Sequence, residues 1–238
     1  MDARLGSELE RPTEGPSSVP ALLAVLAPLS VVVALETTGN VLVAFAAYHL
    51  AFCLIVPLTV LGFRHRAWAP VAEGLALQAP SREGWLAGAA LGVGTAGAIL
   101  GGFALAGDGL LGPVPVIERL IPWGIGPDLE VPLFVYMLVF NSGAEELFWR
   151  GYLHTEAAAR LGSIVAIPLV AVAFASYHVY TLAALLPDPG LVAFAAAGIL
   201  AGALLWAGLR QRYGSVWPAV LAHVGATAGY MTVFAWLV

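Results

Sequence analysis

The sequence has few charged residues, and none of them is lysine. Charged residues make up 11% of the 238 residues, whereas about 25% is usual for a soluble domain. Hydrophobic residues make up 60%, which is typical of a polytopic membrane protein. The formal net charge of −5 argues against a nucleic-acid partner, because binding phosphate requires a basic surface.

Several structural and chemical motifs are also missing. Cys53 is the single cysteine, so neither an internal disulfide nor a cysteine-based metal site can form. The sequence has no HExxH motif, no phosphate-binding P-loop and no internal repeat. Residues 1–19 are polar, and acids outnumber the two arginines, unlike the start of a signal peptide. We therefore expect a disordered cytoplasmic tail at 1–19.

Long apolar runs dominate the rest of the chain. A membrane-spanning helix needs roughly 20 apolar residues, and seven runs approach that length. They are residues 20–36, 40–63, 85–107, 131–153, 163–186, 191–210 and 215–238. The pattern predicts an all-α transmembrane domain over residues 20–238, a helix bundle of about seven spans.

The positions of the arginines predict the orientation of these spans. With seven spans, Arg119 lies on one side of the membrane, and eight arginines share the opposite side. Those eight are Arg4, Arg11, Arg64, Arg66, Arg82, Arg160, Arg210 and Arg212. Because basic loops stay on the cytoplasmic side, we expect a multi-pass protein of the cell membrane, surrounded by lipid. Its N-terminus is predicted to be cytoplasmic and its C-terminus outside.

Pairs of glycines spaced four residues apart occur in two of the predicted spans. Such spacing lets helix backbones approach closely in lipid. We interpret it as packing within the molecule, and a dimer face is the alternative, since the sequence does not determine the oligomeric state. The pairs are Gly88 and Gly92, Gly97 and Gly101, and Gly198 and Gly202.

The fourth predicted span carries three charges in the stretch NSGAEELFWRGY, residues 141–152. A charge at the bilayer centre costs about 2.5–3.5 kcal/mol even on the mildest scale, so these side chains should face the bundle interior. Glu146 and Arg150 are four residues apart, with the acid first, and we expect them to form a structural ion pair. Glu145 is rotated about 100° from Glu146 and has no basic partner on its own helix.

Two further spans carry histidines at a depth similar to that of Glu145. FASYH ends at His178, and LAHVGAT places His223 four residues before Thr227. One carboxylate and two imidazoles on three helices can hold water and move a proton, which makes these residues a candidate catalytic site. His49, in the second span, has no acid near it in the sequence and is interpreted as structural.

These motifs, in this order, resemble those of the CPBP family of intramembrane proteases. EELFWR (145–150) matches EExxxR, FASYH (174–178) matches FxxxH, and HVGAT (223–227) takes the position of HxxxN. The family includes CAAX prenyl endopeptidases and bacteriocin-processing relatives. The resemblance covers residues 131–238, the motif-bearing protease core, and implies a peptide or protein substrate, including lipid-modified ones.

The resemblance also implies roles for individual residues. Glu145 would be the general base that activates water, and His178 would hold that water. Glu146 and Arg150 would support the helix. No serine or cysteine nucleophile is needed for this chemistry, because the activated water itself attacks the peptide bond.

The third motif departs from the family pattern at its last position. There the family usually has Asn, and this chain has Thr227. By resemblance, His223 and Thr227 would stabilise the oxyanion, the threonine with a single hydroxyl donor on a shorter side chain. A catalytically silent relative that serves as a membrane scaffold is the alternative.

The sequence leaves one alternative open for the cofactor and one for the functional class. Glu145, His178 and His223 could ligate zinc with water completing a tetrahedral site, as in a metalloprotease. The absence of HExxH favours a glutamate-type enzyme without a cofactor. A proton-coupled transporter is the rival from another class, because intramembrane acids and histidines also line proton paths. The lack of a repeat between the two halves argues against it.

Overall fold

The computed structural model describes residues 18–106 and 116–237, and within those ranges every regular element is helical. The all-α fold class is confirmed. The predicted N-terminal tail lies outside the described residues, apart from its last two. The helices are α1 (Val19–Thr38), α2 (Val41–His65), α3 (Trp68–Gly74), α4 (Arg82–Ala106), α5 (Val116–Leu120), α6 (residues 130–161), α7 (Ser163–Leu185), α8 (Pro189–Tyr213) and α9 (Trp217–Leu237).

Six of the described helices are long and apolar enough to cross a membrane: α1, α2, α4, α7, α8 and α9. They correspond to six of the seven predicted spans. The other predicted span, 131–153, lies within α6, which is helical from residue 130 to residue 161 and carries the buried charges. The polytopic helix bundle is therefore confirmed, with a span count close to that predicted.

Two of the helices contain wide π-helical turns. In α2 these cover Ala46–Ile55, and in α6 they cover Met137–Asn141 and Leu147–Leu153. The α-helical segment Ser142–Glu146 lies between the two π segments of α6. Because π-helical turns are frequent at functional sites, these segments mark the part of α2 and α6 where polar side chains enter the apolar bundle.

Short capped connections join consecutive helices. Gly39 ends α1 in the left-handed conformation, with φ of 56°, and the next residue, Asn40, caps α2 by accepting a hydrogen bond from the Leu42 amide at 2.8 Å. Asp188 caps α8 in the same way, accepting from the Leu191 amide at 2.8 Å. These caps satisfy backbone groups that a helix end leaves unpaired.

The arginine-rich end of the bundle is held by packing and ion pairs. Glu156 of α6 contacts Arg64 at 2.6 Å and Arg160 at 2.7 Å. Burial by itself would raise the pKa of the Glu156 carboxyl, but the hydrogen bonds from both arginines outweigh burial and lower that pKa. This cluster joins the end of α2 to α6 beyond the predicted span.

Helices α4 and α9 pack closely because glycines face backbone across the interface. A Cβ added at Gly88 would lie 2.5 Å from the Pro218 carbonyl oxygen, and one at Gly92 would lie 2.7 Å from the Leu221 carbonyl oxygen. Packing within the molecule is therefore confirmed for Gly88 and Gly92. The interface fixes α9, which carries His223, against α4.

The remaining glycines of the spaced pairs do not share this role. A Cβ at Gly97, Gly101 or Gly198 would meet nothing within 4 Å, and one at Gly202 would meet the Trp206 ring of its own helix. The sequence spacing alone thus does not distinguish a packed glycine from an outward-facing one.

We predict that Gly88→Ala destabilises the protein and that Gly97→Ala, on the same helix, does not. The added methyl at Gly88 would overlap backbone atoms of α9, and overpacking typically costs about 1–3 kcal/mol. The methyl at Gly97 enters open space, and alanine favours a helix over glycine by about 0.8–1.0 kcal/mol. Thermal melting in detergent checks the pair. Equal melting temperatures would contradict the close α4–α9 contact.

Candidate active site

The Glu145 carboxylate lies at the centre of the site, 1% exposed. Tyr177 of α7 donates a hydrogen bond from its hydroxyl to Oε1, and Asn141 donates its side-chain N–H to Oε2 at 3.5 Å. The Nε2 atom of His49 lies 3.7 Å from Oε1, and Nε2 of His223 lies 3.5 Å from Oε2. Four helices, α2, α6, α7 and α9, therefore converge on one carboxylate.

The neighbouring carboxylate, Glu146, joins α6 to α9. Its Oε1 atom accepts hydrogen bonds from Arg150 Nη1 at 2.9 Å and from His223 Nδ1 at 2.9 Å. The ion pair with Arg150, expected from the spacing of the two residues, is present. Because an ionised carboxylate only accepts hydrogen bonds, the His223 tautomer here carries a proton on Nδ1. Its other nitrogen is directed at Glu145.

Arg150 is fully buried, and its guanidinium is enclosed by groups from two other helices. Nη2 donates to the Ala203 carbonyl of α8 at 3.1 Å. The guanidinium carbon lies 4.5 Å from the centre of the Phe174 ring and 5.3 Å from that of Trp206. Cation–π contacts of this kind gain strength when water is excluded, so Phe174, the first residue of FxxxH, helps to hold the arginine.

Trp206 of α8 also orients His223. The two rings stack with centroids 4.2 Å apart and an interplanar angle of 14°. The Phe174 ring meets His223 edge-on at 5.9 Å. With Nδ1 bound to Glu146 as well, the imidazole of His223 is held in one orientation.

His178 is half-buried and lies beside this cluster. Its Nδ1 donates to the Phe174 carbonyl at 3.2 Å, and its ring packs on that of Tyr177 with centroids 4.0 Å apart. It forms no ion pair with Glu145 among the described contacts, and the α7 residue that reaches the carboxylate is Tyr177. The structure thus brings Glu145 and His223 together directly. His178 lies beside Tyr177, which donates a hydrogen bond to the Glu145 carboxylate.

Thr227 lies on the same seam between α6 and α9. Its side chain is fully buried, and its hydroxyl shares a hydrogen bond of 3.0 Å with the Ser142 hydroxyl. Thr227 is one turn after His223, and Ser142 is one turn before Glu146. The two hydroxyls therefore lie one helical turn from the contact between His223 and Glu146.

Four polar residues around the site were not predicted as part of it: His49, Asn141, Ser142 and Tyr177. Asn141 and Ser142 begin the charged stretch at residues 141–152, and Tyr177 is adjacent to His178. His49 was interpreted as structural because no acid is near it in the sequence, whereas the tertiary structure supplies Glu145 from another helix. A polar side chain inside an apolar span was the available signal for all four.

The proposed zinc ligands do not fit a metal site in this arrangement. His178 makes no ion-pair contact with Glu145 among the described contacts, whereas His49 and His223 do. Within residues 18–106 and 116–237, no group of three His, Cys, Asp or Glu side chains is arranged to hold a metal ion. No step of the mechanism below uses a metal.

Comparison with known proteins shows a family similarity over part of the chain. Residues 127–229 match the family model described as type II CAAX prenyl endopeptidase Rce1-like. Neither a curated protein nor a solved structure matches the chain. The matched range contains all three motifs and ends just after Thr227, which confirms the resemblance to CPBP intramembrane proteases. Over residues 127–229 the chain is therefore similar to the Rce1-like family of type II CAAX prenyl endopeptidases.

Proposed function

We propose that this membrane protein is an intramembrane endopeptidase in which Glu145 activates the water that hydrolyses a peptide bond. The observation that supports the proposal is the buried Glu145 carboxylate, which lies in the EExxxR motif and has an imidazole near each oxygen. A general base must lie within hydrogen-bond reach of the water from which it takes a proton. The carboxylate has few protein donors of its own, so it can accept from a water.

In the proposed reaction Glu145 first takes a proton from water, and the water oxygen attacks the peptide carbonyl carbon. The carbonyl oxygen then carries the negative charge of a tetrahedral intermediate. When the C–N bond breaks, Glu145 returns its proton to the leaving amine, so that the carboxylate is regenerated. His178, the histidine of FxxxH, is proposed to help hold the water beside Tyr177.

The oxyanion would be stabilised on the α9 side of the site. His223 is oriented by Glu146 and Trp206. In its doubly protonated form it carries an N–H at Nε2 as well as the one at Nδ1, so the Nε2 donor costs no reorganisation during the reaction. Thr227 can supply a second donor to the oxyanion. For this its hydroxyl accepts a hydrogen bond from Ser142 and donates its own proton toward the substrate. In this reading the pair of hydroxyls takes the place of the family's asparagine.

The substrate is proposed to be a membrane-embedded peptide or protein segment, including one that carries a lipid. This substrate class follows from the family description and from a site enclosed by apolar helices. A catalytically silent scaffold is the second candidate, and the observation that favours it is Thr227 in place of asparagine. The predictions below separate the two.

The orientation with a cytoplasmic N-terminus is part of the proposal. Cys53 is fully buried, so single cysteines at exposed positions can be labelled against a nearly silent background. We predict that a membrane-impermeant thiol reagent labels Pro187→Cys in intact cells and labels Leu161→Cys only after lysis. These positions flank the two ends of α7. The reverse pattern would invert the orientation.

We predict that Glu145→Gln abolishes proteolysis in cells. The substitution is nearly isosteric and removes the charge that accepts the proton. A proteomic comparison of membranes from wild-type and Glu145→Gln cells should show one accumulated precursor, and a peptide that spans its cleavage site becomes the assay substrate. Cleavage of that peptide should persist in a strong chelator. Loss of cleavage in chelator with recovery on adding zinc would show that a metal is required. No accumulated precursor would favour the silent scaffold.

We predict that Glu146→Gln lowers stability as well as activity, whereas Glu145→Gln lowers activity alone. Glu146→Gln leaves Arg150 as an unpaired charge in the bundle and removes the partner of His223 Nδ1. Removal of one member of a buried pair costs about 3–5 kcal/mol in soluble proteins. Thermal melting in detergent measures the difference. Equal melting losses for the two variants would show that the carboxylates do not divide these tasks.

We predict that Thr227→Val slows cleavage more than Ser142→Ala does. Each substitution removes the hydrogen bond between the two hydroxyls, so a purely structural pair predicts equal losses. Only Thr227→Val also removes the donor proposed for the oxyanion, and loss of such a donor typically lowers kcat by about 10²–10³-fold. Turnover of the precursor peptide by purified variants checks this order, and equal rates would leave His223 as the side-chain donor.

A further inference from the structure

His49 of α2 has a ring nitrogen that the described contacts leave without a hydrogen-bond partner. The side chain is 2% exposed, and Nε2 lies 3.7 Å from Glu145 Oε1. An unsatisfied buried donor or acceptor costs about 1–3 kcal/mol, so an ordered water or a functional role is the usual explanation for a buried ring nitrogen of this kind. Helix α2 lies outside the range that matches the family.

The orientation of His49 is fixed by its other contacts. Nδ1 shares a hydrogen bond of 2.9 Å with the Tyr136 hydroxyl. The imidazole also packs against Phe45, with centroids 5.2 Å apart, and against Tyr48 at 4.9 Å. Tyr136 is itself stacked on Phe45 at 4.7 Å. Because Nδ1 is hydrogen-bonded and the ring packs against Phe45 and Tyr48, the packing of α2 against α6 directs Nε2 at Glu145.

The distance between His49 and Glu145 suits a shared water better than a direct contact. Direct N–H···O hydrogen bonds are about 2.7–3.2 Å long, so Nε2 and Oε1 are too far apart for one, and a water beside the gap could hydrogen-bond to both. On the other carboxylate oxygen, His223 Nε2 is held at 3.5 Å by its bond to Glu146. His49 is thus the imidazole on the Oε1 side of Glu145.

A groove lies next to the residues that hold His49. An apolar groove of about 370 Å³ runs between α2 and the N-terminal half of α6, and Phe45 and Tyr136 are part of its wall. Tyr136 therefore contacts the groove with its ring and His49 with its hydroxyl.

We propose that His49 is a further catalytic residue, which binds the nucleophilic water between its Nε2 and Glu145 Oε1. This inference rests on the proposed peptidase function. The Tyr136 hydroxyl donates to Nδ1, so that the ring proton lies on Nε2 and is donated to the water oxygen. The water donates one of its protons to Glu145, and its free lone pair attacks the peptide carbonyl. His49 keeps its proton throughout, and Glu145 alone gains and later releases one.

Two substitutions at position 49 separate catalysis from packing. Gln places an amide N–H near the position of Nε2, whereas Asn places one near Nδ1 and leaves the Nε2 position empty. We expect His49→Asn to lower kcat by about 100-fold, the loss that a misplaced reactant can cause, with KM little changed. His49→Gln should recover most of that loss although it gives up the bond to Tyr136. The assay is turnover of the precursor peptide by purified full-length protein.

The control is His154→Gln. Like His49, His154 is a buried histidine, but it lies on α6. It hydrogen-bonds to Gln211 at 3.1 Å and forms no ion pair with a carboxylate among the described contacts. The His154→Gln variant should retain wild-type kcat. If both His49 variants have wild-type kcat and Glu145→Gln is inactive, the proposed role of His49 is wrong and the proposed peptidase function stands. Wild-type cleavage by Glu145→Gln would instead overturn the proposed function.

A structural measurement tests the same inference without a substrate. An experimental structure of the wild-type protein that resolves ordered water should show one water within hydrogen-bond distance of His49 Nε2 and Glu145 Oε1. The His49→Asn protein should lack that water while its melting temperature stays close to that of wild type. A direct hydrogen bond between the two side chains, or a gap without water, would overturn the proposal.

Discussion

The arrangement of the site depends on the buried Glu146 carboxylate. One oxygen, Oε1, accepts from Arg150 of its own helix and from His223 of α9, each at 2.9 Å. A buried charge is tolerated only when it is paired and hydrogen-bonded. The contacts of this oxygen therefore fix the rotation of α9 relative to α6. The aromatic rings of Phe174 and Trp206 cover the guanidinium, and they bring α7 and α8 to the same point.

The glycine interface between α4 and α9 supplies the second constraint. Gly92 and Gly225 contact each other's helix so closely that a Cβ at Gly225 would lie 2.3 Å from the Gly92 carbonyl oxygen. In lipid, such packing provides much of the attraction between helices, because apolar side chains gain little by leaving other apolar surroundings. The position of His223 is therefore set from one side by packing against α4 and from the other by the charge on Glu146.

Helix α2 shows why part of the site was missed from the sequence. His49 lies far from any acid along the chain and outside the three motifs, so its neighbours in sequence indicated only a structural histidine. Its π-helical segment and the stacked rings of Phe45 and Tyr136 direct it at Glu145. Tyr177 was overlooked for a related reason, since the motif directed attention to the adjacent His178. Motif spacing identifies residues on one helical face, but a cavity is formed by faces of several helices.

The sequence by itself determined the all-α membrane fold, the approximate positions of the spans, the Glu146–Arg150 pair and the family resemblance. Each of these follows from local properties: the length of apolar runs, the spacing of two charges along one helix, and motifs read in order. Only the tertiary structure decided which side chains reach Glu145, that Thr227 bonds to Ser142, and which glycines are packed. Those outcomes depend on the rotation and depth of one helix relative to another, and residues far apart in the chain set both through contacts that no single segment contains.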